Sequence, residues 1–170
     1  MGQNAVYIAI DDDTAEQLWA LDDEPFRARF LEIEEDEQFQ RLDIAKIWDA
    51  LHCTLTGVPA SRPIEDDKLS EAIVGVHPKI YDDEDYSVFV SIIDNSELAE
   101  ITTALGPFNA AKLTEQLNPT LLEQQNVYPT GIWNDDPKSL VRELADAVTA
   151  IRKFFDDSKA EGSHVLATIM

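Results

Sequence analysis

The chain has 170 residues, 44% of them hydrophobic, and 34 acidic against 13 basic side chains give a net charge of −21. That length suits one globular domain with a core of its own. The charge disfavours nucleic acid and anionic membrane, because both are gripped through Lys and Arg. A lone cysteine, Cys53, excludes an intramolecular disulfide and fits a reducing compartment.

Val6–Ile10 is a short, partly β-branched apolar run that reads as the first strand. Asp13 with Glu16 forms a capping box for a helix through Ala20, with Leu18 and Trp19 inward. Pro25 suits the first turn of a second short helix carrying Phe26, Phe30 and Leu31. Residues 32–40 read as an extended connection or an exposed edge. The stretch LDIAKIWDALHCTLTG, residues 42–57, is then the centre of the reading. Asp43 serves as N-cap, and Ile44, Ile47, Trp48, Leu51 and Leu55 form one apolar stripe. Gly57 and Pro59 end it.

Asp67 caps a short helix that Gly75 closes, and residues 77–85 read as an acidic loop. Ser87–Ile93 is a nearly continuous apolar strand of the kind that sits inside a sheet. Asp94 and Glu97 form a second capping box, for a helix to Leu105. Asn109 caps Ala110–Leu117, and a further turn or two follows Asn118–Pro119. Residues 126–136 are rich in turn formers yet carry Val127, Tyr128, Ile132 and Trp133. Asp136–Pro137 opens the longest helix, to about Ala160, and His164–Ile169 is a terminal strand. The fold expected is α+β: a small mixed sheet including both terminal strands, packed on one side by several helices around a central helix at about 43–56. One domain spans 1–170.

No apolar run approaches the roughly 18–20 residues needed to cross a bilayer. The opening stretch has no basic residue and does not read as a signal peptide, and Val6 stands where a myristoylation motif takes Ser or Thr. A soluble cytoplasmic protein is expected. The acid is spread from Asp11–Asp13 to Asp156–Asp157. It reads as a solvated surface, as the mark of a high-salt source, or as a docking surface for a basic partner.

His52 is four residues past Trp48, with Asp49 as an i,i+3 neighbour. It reads either as a general base oriented by Asp49 or as a half-buried histidine bonded to a carbonyl. Spacing unites the three histidines, His52, His77 and His164, in no metal motif, and Asp82–Asp85 lacks the alternating ligands and glycine of a calcium loop. Neither metal nor cofactor is expected, nor does any phosphate-binding or nucleophile-elbow motif appear. Tyr128 and Trp133 either anchor their loop on the core or present a binding hot spot.

Leu42-Asp43-Ile44, Trp48, Leu51-His52 and Leu55-Thr56-Gly57 stand in the arrangement LDIxxxWxxLHxxLTG. With Asn118-Pro119, Val127-Tyr128-Pro129 and Trp133, this resembles the YfbM-like family of bacterial proteins, a domain of unknown function. The resemblance implies an α+β cytoplasmic domain without an established activity, cofactor or catalytic residue. It also suggests that Trp48, His52, Tyr128 and Trp133 form one cluster. Two functions are carried forward. The first is a non-catalytic acidic protein that binds a basic partner, such as a toxin it neutralises. The other is an enzyme or ligand-binding protein with a pocket beside His52, the ring acting as base and Tyr128 as donor; Trp48, Asp49, His52, Tyr128 and Trp133 are the candidate ligand- or partner-binding residues. Oligomeric state is left open.

Overall fold

A segment in which nearly every side chain is apolar has no face to offer water and must be enclosed. That holds for α3, Trp48–Thr56, whose residues from Trp48 to Leu55 are all buried. The computed structural model describes residues 2–82 and 87–170, with the backbone alone at 80–82 and 87. The acidic positions 83–85 fall outside the described residues. The central helix starts later than its sequence suggests. Residues Arg41–Asp43 form a short strand, β2, and Ala45–Ile47 a 3-10 turn. Asp43 Oδ1 accepts from the Ala45 amide at 2.6 Å, so this carboxylate turns the chain out of the strand and does not cap the helix. Gly57, at φ 84°, closes α3 in the left-handed conformation.

The other strands are β1 (Ala5–Ile10), β3 (His77–Asp82), β4 (Ser87–Ile93) and β5 (His164–Ile169). Their order in the sheet is β2-β1-β5-β4-β3. All four pairings are antiparallel, which corrects the mixed sheet expected. β3 and β4 follow one another too closely for a parallel crossover, and the long helical return from β4 brings β5 back in the opposite sense. β3 lies where an acidic loop was expected. Pro78 obscured it, and an edge strand tolerates proline.

Helices cover both faces of the sheet, where one was expected. On the first face, Ala5, Tyr7, Ile93, Val165, Ala167 and Ile169 pack with α3 and with α4 (Lys68–Val74), α5 (Leu98–Leu105), α6 (Ala110–Gln116), α7 (Pro119–Gln124) and α8 (Pro137–Ala160). On the second, Ile8, Ile10, Val90, Ile92 and Leu166 meet α1 (Asp12–Trp19) and α2 (Asp23–Glu35). Strands buried on both sides lose their polar alternation, which is why β4 and β5 are almost wholly apolar.

Tyr7 ties the layers together. Its hydroxyl donates toward the Ala72 and Ile73 carbonyls at 3.2 and 3.3 Å, and its ring meets Phe155 edge-on at 5.5 Å. On the second face, α1 is capped by Asp11 in place of Asp13. Trp19 is 46% exposed, not inward, because Ala15 and Leu18 already fill that contact. Leu31 is likewise exposed, and Ile33 takes the inward position on α2. That helix continues to Glu35 through residues expected to be extended, and Arg41 donates to the Glu34 and Asp36 carbonyls at its end. No helix among the described residues is long and apolar enough to cross a membrane.

Candidate functional site

Of the residues singled out from the sequence, Trp48, Asp49 and Tyr128 meet. The Trp48 and Tyr128 rings stack with centroids 5.6 Å apart and planes 27° off parallel. Trp48 Nε1 donates to the Gln3 carbonyl at 3.0 Å, and the Gln3 amide donates to the Tyr128 hydroxyl at 2.8 Å. Both amphipathic rings thus bind the N-terminal segment with their polar tips. Asp49 is buried, and its two oxygens accept from the Ala60 amide at 2.7 Å and the Tyr128 amide at 2.8 Å. Burying a carboxylate is costly unless it is bonded, and these amides satisfy it. One side chain of α3 therefore clamps the loop after its own helix to a loop 79 residues away. Trp133, in the 3-10 turn Ile132–Asn134, packs half-buried on the same core.

His52 belongs to a different group. It is wholly enclosed, with Nδ1 2.8 Å from the Val58 carbonyl and Nε2 2.8 Å from Ser70 Oγ. A carbonyl only accepts, so Nδ1 carries the proton and the Ser70 hydroxyl donates to Nε2. Ser70 Oγ in turn accepts from the Ile64 amide at 3.0 Å. Burial holds the His52 pKa below its ordinary value, against the raising influence of the Val58 bond and the Asp49 and Asp67 charges. Asp49 acts on this ring through its field, while Val58 and Ser70 orient it. Cys53, also buried, has its thiol pushed up to about 11, first by burial, which suits a packing residue.

Two of the cavities among the described residues share His77. One of about 520 Å³ has Ile64, Glu65, Ser70, Glu71, His77 and Phe89 in its walls. Ser70 stands between that space and the His52 ring. The second, of about 440 Å³, is walled by Asp12, Glu16, Trp19, His77, Asp94 and His164. Here the fold gathers two of the three histidines with several carboxylates at one end of the sheet. Sequence spacing hid this cluster, since its residues come from three strand ends and two helix starts. The Asp94-x-x-Glu97 spacing was its one local trace, though only the Asp94 amide to Glu97 half of that capping box forms, and α5 begins at Leu98 without a side-chain cap.

An antiparallel five-stranded sheet between a two-helix layer and a larger helical layer, pinned by the Asp49 bonds and the Trp48–Tyr128 stack, defines an α+β protein. The chain belongs to the family described as Domain of unknown function (DUF1877), whose model matches residues 1–168. Protein YfbM of Escherichia coli (strain K12) is 26% identical over 175 residues, covering 100% of this chain and 99% of that protein. The crystal structure of the protein of unknown function YfbM from Escherichia coli shares the fold. Its TM-score is 0.79 at 24% identity, over 98% of this chain and 99% of that one. The family resemblance read from LDIxxxWxxLHxxLTG is thereby established.

Proposed function

We propose that this chain is a non-catalytic binding protein whose acidic face engages a basic protein, a basic toxin being one partner of that chemistry. The supporting observation is where the charge lies. Residues 11–37, the α1–α2 layer, hold twelve acidic and two basic side chains, so a net −10 of the total −21 sits on one face. Asp12, Asp13, Glu16, Asp23 and Glu24 are all exposed there. Arg29 pairs with Glu32 at 2.8 Å, but two arginines cannot neutralise twelve carboxylates. A surface of this kind attracts a cationic partner over distance and speeds encounter. The buried positions of Asp49 and His52, each bonded within the fold, agree with a binding role. The test is capture of partners from host lysate on the immobilised chain, eluted by a salt gradient. Partners should be lost when Asp13, Glu16, Asp23 and Glu24 are neutralised and kept when exposed Glu115, Glu123, Asp135 and Glu143 are neutralised instead. Equal loss with both variants, or no salt-eluted partner, refutes the reading.

A second reading, a ligand or enzyme site beside His52, has one observation in its favour: Ser70, bonded to His52 Nε2, forms part of the wall of the 520 Å³ cavity. Thermal-shift screening against small metabolites tests it, because a ligand raises stability with its concentration over its Kd. A hit lost in Ser70→Ala and retained in the acid-neutralised variant supports this reading over the first.

A further inference from the structure

The antiparallel order brings four strand ends together. β1 leaves the sheet where Ile10 faces His164, β5 enters there, β4 leaves after Ile93 opposite Val165, and β3 enters with His77 opposite Ile92. The residues at these ends are Asp12, His77, Asp94 and His164, and Glu97 follows Asp94 at the start of α5. His77 Nε2 lies 3.5 Å from Asp94 Oδ2 and 3.6 Å from Glu97 Oε2. The three ligand atoms lie within 4.8 Å of one another.

The two separations from His77 fit a shared ion better than a direct hydrogen bond. A charge-assisted N–H···O bond closes to about 2.7–2.9 Å, shorter than either contact. Nitrogen and oxygen ligands about 2.1 Å from a shared ion stand roughly 3.0–3.4 Å apart at octahedral to tetrahedral angles, close to what is seen. We infer that His77, Asp94 and Glu97 form a site for one divalent transition-metal-class cation, with its open coordination positions facing the 440 Å³ cavity beside Trp19.

The neighbouring bonds hold these ligands in place as outer-shell partners do. The Asp94 amide donates to Glu97 Oε2 at 2.9 Å, fixing that carboxylate. The Asn95 amide donates to His164 Nδ1 at 3.2 Å and His164 Nε2 donates to Asp12 Oδ1 at 2.5 Å, which fixes the ring beside Asp94. His77 meets the Trp19 indole edge-on with centroids 6.2 Å apart. The ligand side chains are 46%, 46% and 23% exposed, so an ion can enter from solvent. One imidazole with two carboxylates suits Zn²⁺, Mn²⁺ or Fe²⁺. Calcium takes six to eight oxygens, which three residues do not supply. A net −21 raises the local cation concentration without creating a stoichiometric site, so stoichiometry distinguishes the two.

The experiment is calorimetric titration of the chelator-stripped full chain with ZnCl2 in excess Mg²⁺, alongside Co²⁺ titration read by tryptophan fluorescence. One Zn²⁺ per chain should bind saturably, and Co²⁺ should quench emission in the wild type but far less in Trp19→Phe. His77→Ala and Glu97→Gln should each weaken Zn²⁺ binding by about tenfold or more. Exposed Glu115→Gln, an equal change of charge, should leave it unchanged. Many weak sites abolished by Mg²⁺, Zn²⁺ affinity unaltered in His77→Ala, or Co²⁺ quenching that persists in Trp19→Phe overturns the assignment. The quenching on the unaltered ligands keeps the test independent of whether those two variants fold.

Discussion

Replacing Asp49 with Ala removes the one acceptor shared by the Ala60 and Tyr128 amides. Hydrogen bonds to a charged group contribute about 1.5–3 kcal/mol each, and a buried donor left alone bears the full desolvation cost. The Ala60 amide is buried, while that of Tyr128 is half-buried and can recover some hydration. The total should therefore fall near the middle of the sum, about 4 kcal/mol. For a chain of this size that lowers Tm by about 8–16 °C. Asp49→Asn keeps one acceptor oxygen and should lose about half as much. Urea unfolding followed by tryptophan fluorescence measures both, with Trp48 one of the three emitters. A loss below about 1 kcal/mol in Asp49→Ala would show that packing alone holds the two loops, and the clamp argument would fail.

Gly75, at φ 74° and ψ −177°, occupies a region open almost solely to glycine, and a Cβ there would land on Ser91 Oγ and 2.8 Å from Ser91 Cβ. Gly75→Ala should cost about 2–6 kcal/mol from strain and overpacking, partly recovered by adding Ser91→Gly, as read by urea midpoints. Ser91→Ala alone should be neutral or slightly stabilising in the same assay, because that buried hydroxyl has no partner among the described residues. Since burial depresses the His52 pKa, the unfolded chain takes up the proton first. The stability due to neutral His52 is complete above its ordinary value of about 6.5 and is lost as pH falls below it. The gap between wild type and His52→Gln should consequently narrow from pH 8 to pH 5.5, and a constant gap counts against a neutral buried ring. Finally, self-repulsion at net −21 should be screened by salt, so Tm should rise from about 10 to 150 mM NaCl, most steeply at the low end.

What could be read from the sequence was set by how local its cause is. α8 showed itself through an apolar face repeated from Leu140 to Phe155, and α4 and α6 through Asp67 and Asn109, which cap them as their positions suggest; Asn118, read only as a break, also caps α7. β4 and β5 were visible as apolar runs, but the reason for those runs, a helical layer on each face, was not drawn from them. The edge strands β2 and β3 escaped because they are short or carry proline and charge, which is how an edge avoids pairing with other chains. The clamp was half legible. Trp48 and Tyr128 stood out as aromatics, whereas the function of Asp49 depends on two backbone amides that no side-chain pattern announces. His77 and His164 looked isolated because their neighbours are chosen by strand order, and strand order is a property of the whole chain.

That strand order has a consequence for how the molecule is made. Residues 5–10 form β1 and residues 164–169 the middle strand β5, and the Asn4 and Met170 backbones bond reciprocally at 2.7 and 3.0 Å. A ribosome delivers the first of these strands long before its partner exists. Until residues 164–169 are available, the inner edges of β1 and β4 lack the strand that joins them, and the sheet stays split in two. Joining of the two halves therefore waits on β5, whose contacts with β1 span more of the chain than any other pairing in the sheet.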